Sequence, residues 1–220
     1  MLLSIETATN VCSVAFRNRE GKQFEMRTNK RGSHSEQLFI FIEELMEEHA
    51  FKVSELEGVL VSKGPGSYTG LRISASAVKG LLFQTQVPLY AVDTLASYAM
   101  QAATAREAVG ETIHSVIDAR RQHLYHQIFR WEQGALRTND QTEVRPIDNV
   151  EKMIEAGDTV VGTGLKRLDA DVRDKATLLD SHAITARSLI DIFEAEAGNF
   201  FEQVDPESYD PSYYTSNQVT

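Results

Sequence analysis

The sequence predicts an α/β chain of tandem ribonuclease-H-like subdomains, the architecture of the actin-like ATPase and sugar kinase superfamily. Two observations carry that expectation. The first is a strand–acid–strand–turn–strand pattern that occurs twice, with Glu6 and Asp118 as the acids, about 112 residues apart. The spacing from acid to turn glycine is 15 residues from Glu6 to Gly21 and 16 from Asp118 to Gly134. Near-equal spacing of this kind marks a duplicated unit. The second observation is that each copy runs on into alternating helix and strand signals.

In the first copy, Leu2 to Glu6 is a short apolar run and Val11 to Arg17 a β-prone one. Gln23 to Thr28 then returns after the turn at Arg19 to Lys22. Ser33 with Glu36 fits a capping box, so a helix is expected from there to about Ala50. Val59 to Ser62 is a buried-strand candidate, followed by Gly64-Pro-Gly-Ser-Tyr-Thr-Gly70 and a helix from about Leu71 to Phe83. A strand at Val87 to Val92 and an Ala-rich helix from Thr94 to Val109 complete the copy. The second copy offers strands at Ile113 to Asp118, His123 to Trp131 and Leu136 to Val144. It continues with a helix near Val150 to Ala156, a strand at Thr159 to Val161 and a helix from Thr185 to Ala197. The tail from Val204 reads as irregular. Residues 1–108 and 109–220 are the expected subdomains, with the interface helices in the first.

Composition narrows function. A chain of 220 residues with 42% hydrophobic content can bury roughly 70% of its unfolded surface without metal or disulfide staples. Its net charge of −10, from 22 basic and 32 acidic residues, argues against gripping nucleic acid alone. One cysteine, Cys12, rules out an internal disulfide and fits a reducing compartment. The N-terminal Met-Leu-Leu-Ser-Ile-Glu lacks the basic region of a signal peptide, and the longest uncharged stretch, Gly80 to Val92, is too short to span a bilayer. A cytoplasmic location follows as the default.

A nucleotide-binding member of this superfamily needs glycines where backbone N–H groups approach phosphate. Here the first-strand motif reads Glu6-Thr7-Ala8-Thr9, with Ala8 in place of the glycine. The second reads Asp118-Ala119-Arg120, with a guanidinium in place of the glycine, and only Gly162-Thr163-Gly164 remains of a longer glycine run. These departures speak against independent ATP chemistry, although an actin-like ATPase or kinase stays the alternative. The Gly64–Gly70 segment lacks the Lys-Ser/Thr of a Walker A loop. It is either a tight strand-to-helix turn with Thr69 near the N-cap, or a ligand or partner loop of Gly64, Gly66, Tyr68, Thr69 and Gly70. His123 and His126, three apart on a strand, point to opposite faces, and His34 reads as a surface residue. No catalytic residue, metal site or cofactor is expected.

Two helices carry more apolar surface than a simple amphipathic helix. Leu38-Phe-Ile-Phe-Ile42 is followed by Leu45 and Met46, and from Leu71 to Phe83 the only charges are Arg72 and Lys79. Seven residues apart, those two lie within about 20° of each other, so they share one narrow stripe. The helices are either buried within their own domain or form a subunit interface through Leu38, Ile42, Leu45, Leu71, Ile73, Ser74, Ala77 and Leu81.

Ile5-Glu-Thr-Ala-Thr9, Gly64-Pro-Gly-Ser-Tyr-Thr-Gly-Leu-Arg72 and Ile117-Asp-Ala-Arg-Arg121 with Tyr125 resemble the TsaB (YeaZ) family. The resemblance covers Met1 to about Trp131 and thins beyond, resting there on Gly162-Thr-Gly164 and Pro211-Ser-Tyr-Tyr214. It implies a non-catalytic subunit in forming N6-threonylcarbamoyladenosine beside the tRNA anticodon. That subunit would pair with the transferase TsaD, or with itself, through N-terminal-domain helices, with the ATPase TsaE joining the assembly and tRNA reached only through the complex. The resemblance also places Thr94 and Tyr98 where TsaD carries the two histidines of an H-x-x-x-H metal motif. A hydroxyl and a neutral phenol do not replace two imidazoles, which also weakens a glycoprotease-type peptidase reading.

Overall fold

The computed structural model describes residues 1–30, 32–106, 112–195, 197 and 199–214. The first run of elements is β1 (Leu2–Glu6), β2 (Cys12–Arg17), β3 (Gln23–Thr28), α1 (His34–Glu48), β4 (Gly58–Ser62), α2 (Tyr68–Leu82), β5 (Leu89–Val92) and α3 (Thr94–Arg106). The second is β6 (Thr112–Asp118), β7 (His123–Glu132), β8 (Ala135–Arg137), β9 (Glu143–Pro146), α4 (Ile147–Met153) and β10 (Thr159–Val161). It continues with α5 (Ala170–Lys175), β11 (Thr177–Leu179), α6 (Arg187–Glu194) and β12 (Phe201–Val204).

Both sheets repeat one topology. In the first, β1, β2 and β3 form an antiparallel meander in which Leu2 faces Arg17 and Glu6 faces Ser13. Strands β4 and β5 then add in parallel beyond β1. In the second, β6, β7 and β8 form the meander, while β10 and β11 add in parallel beyond β6. This is the tandem ribonuclease-H-like arrangement. The strand expected over Leu136 to Val144 is two short strands, β8 and β9, both paired to β7. Thr138 and Asp140 fold back between them, with the Thr138 hydroxyl donating to Ile128 O and the Asp140 carboxylate accepting from Ile128 N–H.

Strands β1 and β4 are buried along their whole length, as central strands covered on both faces must be. Leu3 and Ile5 of β1 enter a core with Leu38, Ile42 and Leu45 of α1 and Ala77, Val78 and Leu82 of α2. Ser4, on the alternate face, donates its hydroxyl to Ala186 O beside α6 at 2.8 Å. Ser13 Oγ accepts from Ala186 N–H, and the Glu25 carboxylate accepts from both Ser13 and Thr185. This buried network ties the start of α6 to the first sheet.

Those bonds explain why the chain divides otherwise than into residues 1–108 and 109–220. One compact unit is Met1–Asp93 with Thr185–Ser212, and the other is Thr94–Ile184 with Tyr213–Thr220. Helix α3 goes with the second unit, where Leu95 O accepts from the Ser115 hydroxyl. Strand β12, part of a segment without a strand signal, extends the first sheet antiparallel to β5. The 108/109 boundary and the expected end of α3 at Val109 lie outside the described residues.

Local chemistry departs from expectation at two helix starts. Ser33 precedes α1 but forms no capping box, because its hydroxyl donates to Lys30 O at 2.7 Å. Helix α2 starts at Tyr68 and its N-cap is Ser67, whose hydroxyl accepts from Gly70 N–H, so Thr69 lies inside the helix. His34, expected at the surface, is buried, with Nε2 3.1 Å from Val11 O.

Candidate docking face and glycine-rich loop

The loop from Gly64 to Gly70 leaves β4 and enters α2 directly over the turn that follows β1. A Cβ on Gly66 would lie 2.3 Å from Ala8 O, and one on Gly70 would lie 2.0 Å from Thr7 O. Only glycine permits that approach. Ser67 N–H donates to Ala8 O at 2.6 Å, and the Thr7 hydroxyl donates to Gly70 O at 2.9 Å. Ala8 N–H is itself taken by the Glu6 carboxylate at 2.6 Å. The side of the loop turned to β1 is thus packed directly on the chain's own backbone. Gly64 backs onto Ser212 O, so Tyr68 and Thr69 are the two loop candidates that face outward. Arg72 donates to the Tyr68 hydroxyl at 2.7 Å and holds the ring along α2. In a cleft beside the end of β4, the Lys63 ammonium is paired with Asp93 and Glu202, both at 3.0 Å.

Helices α1 and α2 pack against each other on the first sheet. Of the eight residues expected at an interface, Leu38, Ile42, Leu45, Leu71, Ser74 and Ala77 are buried in the chain's own core, while Ile73 and Leu81 are partly exposed. A regular i, i+4 apolar period marks the face turned toward the sheet, and for these six the within-domain reading holds. The outward surface is made by residues outside that period. Phe39 is 49% and Ile40 41% exposed on α1, and Phe83 is 65% exposed at the end of α2. Ser76 and Gly80 are exposed on α2, and a Cβ on Gly80 would meet nothing within 4 Å. Glu36, Glu43, Glu44 and Glu47 flank the apolar pair on α1.

In the second unit the acid at the end of β6 repeats the role of Glu6. Asp118 accepts from Arg120 N–H, two residues on, at 2.8 Å. It also accepts from Arg167 at 2.6 Å. Deeper in the same sheet, Arg145 donates to His126 Nδ1 at 2.8 Å, and His126 Nε2 lies 3.0 Å from His114 Nδ1. His114 Nε2 completes the line 3.1 Å from Asp158. Burial, then His114 and Arg145, push His126 down to about 3, and burial lowers His114 as well. Both rings are therefore neutral structural groups at pH 7. This chain was not legible beforehand, since its members come from β6, β7, β9 and the residue before β10. Cys12 is fully buried, and burial with the nearby Glu6 carboxylate pushes its thiol up to about 12. It is not a nucleophile.

A family model described as tRNA N6-adenosine threonylcarbamoyltransferase (TsaD) matches residues 28–164. The tRNA threonylcarbamoyladenosine biosynthesis protein TsaB of Haemophilus influenzae is 28% identical over 124 residues, 56% of this chain and 51% of that protein. The Escherichia coli TsaB is 27% identical over 169 residues, 74% of this chain and 71% of its own length. A solved structure of YeaZ from Pseudomonas aeruginosa superposes with a TM-score of 0.80 at 28% identity, covering 97% of this chain and 99% of that one. The chain belongs to the TsaD family, in its TsaB (YeaZ) branch. Its match spans about half the length of the H. influenzae TsaB. Thr94 and Tyr98, which the resemblance set against the metal motif of TsaD, are fully buried at the start of α3. Among the described residues no three His, Cys, Asp or Glu side chains gather to hold a metal ion, and no helix is long and apolar enough to cross a membrane.

Proposed function

We propose that this chain is a partner subunit without an active site of its own. It would dock on a TsaD-family threonylcarbamoyltransferase and support the formation of threonylcarbamoyladenosine in tRNA. The observation that carries the reading is the exposure of Phe39 and Ile40 on α1 and of Phe83 at the end of α2, with the small Ser76 and Gly80 also exposed on α2. Exposed large apolar side chains beside residues that let helices approach closely suit a subunit contact. The acidic flank of α1 calls for a partner surface that is apolar at its centre and basic at its rim. A second copy of this chain is the competing occupant of the same face, and the ATPase TsaE would join the assembled pair.

The packing under the glycine-rich loop supports a non-catalytic role, because Gly66 and Gly70 are used for close approach to the Ala8 and Thr7 backbone. A single buried thiol supports residence in the reducing cytoplasm. The test is size-exclusion chromatography of this chain with the TsaD-family protein of the same organism. Co-elution as one species is the expected result. Two folded proteins that never associate would remove the proposal.

A further inference from the structure

The two acid-ended turns are equivalent in topology but opposite in surroundings. In the first unit Thr7, Ala8 and Thr9 are buried beneath the Gly64–Gly70 loop. In the second unit the loop after β10 packs lower on its strand. A Cβ on Gly162 would lie 2.1 Å from Val116 O, and one on Gly164 would lie 3.0 Å from Val116 Cβ. The β6–β7 turn is left open, with Arg120, Arg121 and Gln122 exposed.

Arg120 and Arg121 adopt φ of 69° and 51°, two consecutive left-handed residues at a place where glycine or asparagine is the ordinary choice. Arginine there is disfavoured by roughly 1–2 kcal/mol per residue, so the fold alone does not explain it. Neither guanidinium has an ion pair or hydrogen bond among the described residues. The N–H groups of Arg121 and Gln122 also take no acceptor among them. Arg167 braces the turn from behind by donating to Arg121 O and to Asp118, and the adjacent Lys166 is exposed and unpaired among the described residues. Two exposed guanidiniums and two backbone donors, all without partners among the described residues, gather on one short turn and offer an anion site on an otherwise acidic protein.

We propose that the β6–β7 turn binds phosphate of the tRNA backbone, through Arg120, Arg121 and the N–H groups of Arg121 and Gln122. The choice of tRNA as the polyanion rests on the function proposed above. The contact gives a chain of net charge −10 a local grip on RNA without a broad basic surface.

The test titrates a labelled, unmodified tRNA transcript against the chain assembled with its TsaD-family partner, and against the chain alone, from about 50 to about 200 mM salt. In the assembly, the double variant Arg120→Gly, Arg121→Gly should bind about tenfold more weakly at the low-salt end and lose about two from the salt slope. Its Tm should hold or rise, because glycine is at ease at positive φ, so weaker binding would not reflect misfolding. Arg120→Lys with Arg121→Lys should keep most of the slope. Unchanged affinity and slope in the glycine variant, or no tRNA binding by either preparation, overturns the proposal. If the wild-type chain and its partner fail to assemble, the partner reading falls separately. The chain alone then decides the turn by the same tenfold criterion.

Discussion

Arg145 fixes the tautomers of two buried histidines, because a guanidinium only donates. His126 Nδ1 must accept from it, so the His126 proton sits on Nε2 and points to His114 Nδ1. The His114 proton then sits on Nε2 and points to Asp158. A second proton on either ring would break this one-way line. His126 titrates at about 3 in the fold against an ordinary 6.5. Its contribution is therefore fully present above pH 6.5 and is lost as pH falls, by about 1.4 kcal/mol per pH unit, until about pH 3. His126→Gln should be less stable at pH 7 and show a shallower loss between pH 6.5 and 4. Urea unfolding at several pH values measures this, and parallel wild-type and variant curves would contradict it. Cys12 gives a second check at this scale. Iodoacetamide at pH 8 should label it only on unfolding, as followed by mass spectrometry, and labelling of the native protein within minutes would refute its burial as thiol.

At the scale of elements, the glycines of the loop and of α2 have opposite meanings. Gly70→Ala forces a Cβ to 2.0 Å from Thr7 O and should unfold or strongly destabilise the first unit. Gly80→Ala meets open space and should stabilise α2 by up to about 1 kcal/mol. Thermal unfolding of the two variants should move in opposite directions, and like shifts would contradict the assignment. The sequence string Gly64-Pro-Gly-Ser-Tyr-Thr-Gly70 shows that backbone comes close to something there. It does not show that the neighbour is the first-strand turn and not a ligand, because that contact joins residues some sixty positions apart. The interface helices teach a related lesson. Periodic apolar residues such as Leu38, Ile42 and Leu45 are legible because the period belongs to the sheet-facing side. Phe39 and Ile40 break the period, and in this protein it is the break that reports the outer face.

For the whole molecule, the duplication was readable from the two acids and the turn glycines, since meander strands carry strong local signals. The exchange of helices was not. Helix α3 follows the first repeat in sequence but packs in the second unit, and α6 with β12 returns to the first. Short elements such as β11, β12 and α5 are set by pairing and packing over long sequence separations, so no local period announces them. The same duplication divides the labour proposed for the chain. The first copy closes its turn under glycines and exposes a helix face, while the second leaves its turn open with two arginines. The central claim is that the α1–α2 face is where a TsaD-family subunit docks. Ala77 is a poor probe of it, being 1% exposed and part of the core. Gly80→Arg is the direct one, because the site is open and the fold should survive. The deciding measurement is the affinity of the wild type and of Gly80→Arg for the TsaD-family partner, with Tm recorded alongside. Tight binding by the wild type, with at least about a hundredfold loss in a folded variant (about 2.7 kcal/mol), is the expected result. Equal affinities at equal Tm would contradict the account.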